Sequence, residues 1–154
     1  MRRNDRELTT EEEILQVLDQ CDTIRLGMKG EEYPYIVPLS FGWEQHENGR
    51  VYIYVHGAKD GLRHELLKKD FRVCVEADRC LRFAQIGDDY TCVYESVIGF
   101  GRAECVQGEE ALHGLKKIME HCGFGEGHVP TRAAEYTSVW KITISQMTGK
   151  RRTL

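Results

Sequence analysis

The strongest constraint on the fold of this chain is a strand that runs directly into a short helix. Val51–Val55 alternates β-branched and aromatic residues, which predicts a β-strand. The strand is followed closely by two small residues, Gly57 and Ala58, which let a ligand approach the backbone. Asp60 is the predicted N-cap of the helix, and Arg63 lies in the first helical turn.

A junction of this kind offers what a bound phosphate group needs. The free N–H groups and the dipole at a helix N-terminus favour an anion, and the guanidinium of Arg63 adds a fixed positive fork. The spacing alone is a weak signal, because many strand–turn–helix junctions bind nothing. Phosphate binding and a purely structural junction are both open at this point.

Length, charge and hydropathy exclude several classes of protein. We expect the 154 residues to form a single domain, 1–154. The formal net charge of −4 argues against a general nucleic-acid-binding protein. No apolar run approaches the length of a membrane span, and the N-terminus lacks the apolar core of a signal peptide. We therefore expect a cytoplasmic protein without a membrane or nucleic-acid partner.

The cysteines and histidines do not follow the spacing of metal or disulfide sites. No pair of cysteines has the Cys-x-x-Cys spacing, so we expect buried free thiols that act as small hydrophobic residues. A cluster of histidines and one cysteine in the C-terminal half matches no standard set of metal ligands, so no metal site is predicted. This cluster consists of His113, His121, Cys122 and His128.

The predicted elements favour antiparallel β structure with a few helices. A capping box at Thr9 with Glu12, or at Thr10 with Glu13, begins the first helix. Strands are predicted over 23–28, 35–43, 51–55, 71–77, 90–106 and 138–146, a loop over 78–89, and a helix that ends at Gly123. Pro38 implies an edge strand or a bulge, and Gly99 and Gly101 imply a bend. Without a βαβ rhythm, this order favours a small barrel with peripheral helices.

With these residues assembled, the chain resembles the FMN-binding split-barrel superfamily. Within it, the chain is most similar to the nitroimidazole-resistance branch, which is related to pyridoxamine 5'-phosphate oxidase. The matching stretches are Met1–Glu7, Pro34–Gly42, Tyr52–Ala58 with Gly61 and Arg63, Tyr94–Arg102 and Thr148–Lys150. They cover almost the whole chain in order, which is more specific than any one of them.

The resemblance implies a mainly β, α+β fold: a six-stranded antiparallel split β-barrel with peripheral helices. It also implies a homodimer with FMN, or alternatively FAD, in two clefts at the subunit interface. The implied flavin contacts are Pro38, Leu39, Ser40 and Phe41 along the isoalloxazine ring; His56, Gly57, Ala58 and Arg63 at the ribityl phosphate; Glu95, Ser96 and Val97 at the flavin edge; and Trp140 and Lys150 from the partner subunit.

Several of these contacts also have a structural explanation that needs no ligand. The stretch 37–41 reads as a core strand with a bulge. Ser96 is typical of a strand serine bonded to solvent or backbone. His56, at a strand end, is typical of a structural histidine.

The resemblance implies an FMN-dependent oxidoreductase that reduces small aromatic acceptors such as nitro-aromatics or quinones. His56 is the candidate for proton delivery, because the ordinary pKa of histidine lies near neutrality. Two alternatives stay open: a flavin-binding or carrier protein without dedicated catalysis, and a haem-binding relative. The chain ends without the Arg-x-His-Asp-Arg-like motif of true pyridoxamine-phosphate oxidases, so oxidation of vitamin B6 is not expected.

Overall fold

An antiparallel sheet of eight strands carries the fold in the computed structural model, which describes residues 3–125 and 129–154. The strands are β1 (Glu7–Leu8), β2 (Ile24–Met28), β3 (Tyr35–Leu39), β4 (Gly42–Gln45), β5 (Val51–Gly57), β6 (Arg72–Ile86), β7 (Asp89–Val106) and β8 (Ser138–Arg152). The helices are α1 (Glu11–Asp19), α2 (Leu62–Lys69), α3 (Gly108–Met119) and α4 (Ala133–Tyr136), with a 3-10 turn at Asn4–Arg6 and a π-helical turn at Glu120–Phe124.

The order of hydrogen-bonded strands confirms the mainly β, antiparallel architecture but not the six-stranded barrel. The order is β3-β2-β6-β7-β8-β5-β4, and β1 pairs with β8. Within the described residues no ladder joins β3 to β4, so the sheet is not closed. The predicted strand over 35–43 breaks at Ser40 and Phe41, and its two halves pair at opposite ends of the sheet.

Several local predictions are confirmed. Thr10 caps α1, and its hydroxyl accepts a hydrogen bond from the Glu13 N–H at 3.2 Å while the Glu13 carboxylate accepts one from the Thr10 N–H at 3.4 Å. Pro38 lies in β3, an edge strand of the sheet. The β7–β8 ladder shifts register between Phe100 and Gly101, where the sequence predicts a bend.

The predicted loop over 78–89 is wrong, because these residues form the outer half of the β6–β7 hairpin. Strand prediction depends on one polar and one buried face, and this part of the hairpin has little burial on either face. Its large apolar side chains are exposed, namely Leu81, Phe83, Ile86 and Tyr90. The register also shifts between Cys80 and Arg82, which disturbs the alternation further.

The main hydrophobic core lies on one side of the sheet and includes buried residues of α1. Its fully buried members come from several elements: Val17, Leu18, Ile24, Leu26, Phe41, Ile53, Val55 and Ile142. A smaller core beneath α3 contains Tyr54 and Val139. The Tyr54 hydroxyl donates to Glu44 at 2.8 Å, and His113 of α3 bonds the same carboxylate at 2.9 Å, which holds α3 against β4 and β5.

The expectation of buried thiols is wrong for most of the cysteines. Cys21 is buried, whereas Cys74 and Cys92 are half-buried and Cys80, Cys105 and Cys122 are exposed. Among the helices in the described ranges, none is long and apolar enough to cross a bilayer.

Candidate functional site

The N-terminus of α2 has no side-chain cap. The predicted N-cap, Asp60, is wrong, because Gly61 holds this position with a φ of 100°. This backbone conformation favours glycine over residues with a side chain. Among the described residues no side chain caps the first turn. The N–H groups of this turn can therefore donate hydrogen bonds to a ligand.

The side chain of Arg63 reaches from the first turn of α2 back to the end of β5. Its Nη1 donates a hydrogen bond to the backbone oxygen of His56 at 3.1 Å. A Cβ on Gly57 would overlap the guanidinium. The guanidinium occupies the space that a side chain at position 57 would fill, so a larger residue there would displace Arg63 from this position.

The charge of Arg63 has no carboxylate partner in the part of the chain that the structure describes. Among the described residues it forms no ion pair with a carboxylate, and its one hydrogen bond leaves further N–H donors available, since arginine has five. Burial lowers the pKa of Arg63, and the phenol of Tyr35 opposes this effect. A half-buried cation with unused donors beside an uncapped helix N-terminus is suited to an anionic ligand.

His56 lies beside this cation at the end of β5, and its side chain is exposed. Partial desolvation lowers the pKa of His56, and the positive charge of Arg63 lowers it further. The neutral imidazole is therefore favoured. An anion bound at Arg63 would offset the positive charge of Arg63 and so raise the pKa of His56.

The residues predicted to line the flavin ring separate into exposed and buried groups. Pro38 and Ser40 are exposed, and Leu39 is half-buried against the core. Phe41 is 0% exposed, and its ring centroid lies 4.2 Å from that of His121. Phe41 is a core residue at the break between β3 and β4 in this conformation, and its contact with a flavin ring stays a prediction.

The predicted edge contacts on β7 separate in the same way. Ser96 is half-buried and lies directly opposite Lys150 of β8, so these two polar side chains are neighbours. Glu95 is buried, and its carboxylate binds Arg151 at 2.6 Å and Arg79 at 3.8 Å. The side chain of Val97 belongs to the core. Glu95 and Val97 therefore have structural roles, and of the three only Ser96 offers its side chain.

Trp140 of β8 is a buried residue. It is 3% exposed in the main core, and its ring lies 5.4 Å from that of His64, edge to face. The contribution of Trp140 to a flavin site across an interface stays a prediction. Its indole N–H has no hydrogen-bond partner within the described part of the chain.

Sequence reasoning missed His64, which follows Arg63 in α2. Its Nδ1 lies 3.4 Å from the hydroxyl of Ser138, and both residues line a cavity of about 590 Å³ between α2, α3, α4 and β8. The sequence did offer one signal for His64, its position next to the predicted phosphate ligand Arg63. Its contact with Ser138 could not be predicted, because it depends on the pairing of Gly57 with Ser138, which brings the start of β8 beside α2.

The histidine and cysteine cluster does not gather around one point. His121 bonds the backbone oxygen of Cys21 at 2.8 Å, whereas His113 bonds Glu44. His128 lies outside the described residues. Across 3–125 and 129–154, no group of three or more His, Cys, Asp or Glu side chains is placed to hold a metal ion.

Comparison with known protein families agrees with this geometry. The family model described as pyridoxamine 5'-phosphate oxidase matches residues 10–151. The chain belongs to this family. The predicted relationship to the FMN-binding split-barrel superfamily is thereby confirmed. No match is found among curated proteins.

Solved structures extend the comparison. A proposed 5-nitroimidazole antibiotic resistance protein from Bacteroides thetaiotaomicron is 27% identical, with a TM-score of 0.83 over 94% of this chain and 85% of that one. The flavocytochrome Anf3 from Azotobacter vinelandii is 22% identical, with a TM-score of 0.79 over 100% and 72% of the two chains. The FAD and heme binding protein from Mycobacterium smegmatis is 17% identical, with a TM-score of 0.80 over 97% and 74%. The last two likenesses concern the fold alone.

The residues of this member of the pyridoxamine 5'-phosphate oxidase family fit a flavin that carries a phosphate. The phosphate could be bound by the guanidinium of Arg63, which lies against Gly57, and by the N–H groups at the uncapped start of α2. Pro38 and Ser40 present an apolar surface and a hydroxyl on the edge strand, which are the kinds of group that a ring with a polar edge requires.

Replacing Arg63 with glutamine is expected to raise the pKa of His56, because the neighbouring positive charge that disfavours the imidazolium is removed. The measurement is an NMR titration of the His56 ring in the two proteins. Arg72→Gln is the matched control, since Arg72 is paired with Asp70 and is not among the groups that shift His56. An unchanged His56 pKa in Arg63→Gln would contradict the proximity of the two groups.

Proposed function

We propose that this protein binds FMN and acts as an oxidoreductase on small aromatic acceptors such as nitro-aromatics. The observation that carries the proposal is the half-buried guanidinium of Arg63, which has unused donors and no carboxylate partner in the described residues. The similarity to the Bacteroides protein supports the acceptor class. FAD is the alternative flavin, because a neighbour of the same fold is described as binding FAD.

In this proposal Arg63 and the first N–H groups of α2 bind the phosphate, and Gly57, which has no side chain, leaves room for the guanidinium at the strand end. Pro38 on β3 and Ser40, directly after it, face the ring. Ser96 and Lys150, which are cross-strand neighbours, offer a hydroxyl and a cation to its polar edge. The bound flavin would supply the hydride and electron transfer, and the chain binds, orients and shields it.

His56 is the proposed proton donor or acceptor for the substrate. It is exposed, it lies beside the proposed phosphate ligand Arg63, and its lowered pKa favours the neutral imidazole, which can accept a proton. A bound phosphate would raise this pKa by offsetting the charge of Arg63, which would increase the fraction of His56 that carries a proton to donate in the loaded protein.

A second copy of the chain is the proposed partner. On the outer face of the sheet, the register aligns Ile36, Gly27, Cys74 and Phe100 across β3, β2, β6 and β7. Ile36 and Phe100 are 62% and 53% exposed, and Gly27 has no side chain between them. An exposed apolar row of this kind is typical of an interaction surface. A dimer formed through it would shield from solvent a flavin that a single sheet leaves exposed.

Flavin binding by Arg63 is tested with two ligands that differ only in the phosphate. Arg63→Gln is expected to weaken FMN binding roughly tenfold to a hundredfold, since a hydrogen bond to a charged group contributes about 1.5–3 kcal/mol. Riboflavin affinity is expected to change little. Both affinities are measured by fluorescence quenching, with Arg72→Gln as the control. Equal losses for the two ligands would show that Arg63 does not bind the phosphate, and a haem spectrum for the purified protein would overturn the flavin assignment.

The protein is expected to sediment as a dimer at micromolar concentration. Phe100→Glu is expected to yield a monomer, because the new carboxylate would be buried without a partner in the apolar row. Phe124→Glu is the control, since Phe124 is equally exposed but lies in the π-helical turn away from this row. A wild-type protein that sediments as a monomer with FMN bound would contradict the dimer.

The role of His56 is tested by His56→Ala. If it relays a proton, reduction of a nitro-aromatic substrate per bound flavin is expected to fall by roughly 10²-fold, and the pH profile is expected to lose one limb. Because the side chain is exposed, the melting temperature is expected to stay nearly unchanged. Unchanged turnover together with a large drop in melting temperature would show a structural histidine instead.

A further inference from the structure

Two thiols meet on the exposed half of the β6–β7 hairpin. The Sγ atoms of Cys80 and Cys92 lie 3.2 Å apart. Cys80 is opposite Tyr94 in the ladder, and Cys92 is opposite Phe83, so the two cysteines are diagonal neighbours on one face of the hairpin. They are twelve residues apart in sequence, so their contact could not be predicted from a short motif such as Cys-x-x-Cys.

The β-bulge accounts for this contact. The register shifts between Cys80 and Arg82, so Leu81 is left without a partner in the ladder. Diagonal neighbours in a regular antiparallel pair are about 7–8 Å apart, whereas a bulge bends the strand and increases its twist. The sulfur atoms are thereby brought within about 1 Å of the length of a disulfide bond, which is about 2.05 Å.

The surroundings distinguish the two sulfurs. Cys80 is exposed, so an oxidant in solution reaches it directly, and Cys92 is half-buried. The hydrogen bond with Cys80 is the largest cause that raises the pKa of Cys92, which keeps Cys92 in its thiol form. Among the six cysteines, all of which lie in the described residues, Cys80 and Cys92 are the one pair in hydrogen-bond contact.

We propose that Cys80 and Cys92 are a reversible dithiol–disulfide site that is oxidised by hydroperoxides. The Cys80 thiolate attacks the terminal oxygen of hydrogen peroxide, the O–O bond breaks, and hydroxide leaves, so Cys80 becomes a sulfenic acid. The Cys92 sulfur then attacks the Cys80 sulfur, the S–O bond breaks, and water leaves. In total two thiols and one hydrogen peroxide give one disulfide and two waters, and the two thiols supply both electrons. A small thiol reverses the reaction by exchange.

The consequence for the fold is a covalent link across the hairpin beside the ion pairs of Glu95. Arg79 precedes Cys80 and lies 3.8 Å from the Glu95 carboxylate, and Glu95 also binds Arg151 of β8. The link would fix the bulge in register next to these residues. This site depends on the hairpin alone and does not require a bound flavin.

The test is peptide mapping of the folded, full-length protein after treatment with hydrogen peroxide. Remaining thiols are alkylated, and the protein is cleaved after arginine and lysine without reduction. Because Arg79, Arg82 and Arg102 flank the two cysteines, the disulfide would join the peptide 80–82 to the peptide 83–102. This linked peptide is expected with a loss of two hydrogen masses, and dithiothreitol is expected to release it.

Three variants decide between this pair and general oxidation. Cys80→Ser and Cys92→Ser are expected to abolish the linked peptide, and Cys92→Ser is expected to leave a sulfenic acid on Cys80 that a dimedone probe labels. Cys105→Ser, which removes another exposed thiol, is expected to leave the linked peptide unchanged. Oxidation of Cys80 to the sulfinic acid without the link, a link to any other cysteine, or a disulfide between two chains on a non-reducing gel would overturn the proposal.

Discussion

Backbone pairing along β7 is the interaction on which the rest of this structure depends. β7 runs from Asp89 to Val106 and pairs with β6 on one side and β8 on the other over most of its length. Because each strand of this central trio has one face turned to the core, the pairing also determines which side chains are buried. The shorter strands β2, β3, β5 and β4 extend the trio outward and leave its two ends unpaired with each other.

The candidate site lies where this regular pairing stops. β5 ends at Gly57, and the following helix α2 brings Arg63 back over that glycine. A half-buried cation without a carboxylate partner costs stability, so its retention is easier to understand if an anion completes the site. The buried carboxylate of Glu95 makes the contrast clear, because it is bound by Arg151 and Arg79 and needs no ligand.

The hairpin shows a second departure from regular pairing with a chemical consequence. The bulge at Leu81 interrupts the alternation of faces and brings Cys80 beside Cys92. This half of the hairpin packs against little else, so its conformation depends on local pairing more than on the core. A covalent link there would act on the part of the sheet that has the fewest other constraints.

The sequence by itself determined several local elements and the family. The capping box at Thr10, the strand at Val51–Val55 and the arginine of α2 are local patterns, and local hydrogen bonding or periodicity is enough to produce them. Only the tertiary structure decided that Phe41, Val97 and Trp140 belong to the core and that Ser96 meets Lys150. The physical reason is that a strand's period of two separates its residues into two faces without saying which face is buried. The choice of buried face changes again at breaks, such as the one at Ser40 and Phe41, and at bulges, such as the one at Leu81. These irregularities depend on pairing with strands that are distant in sequence.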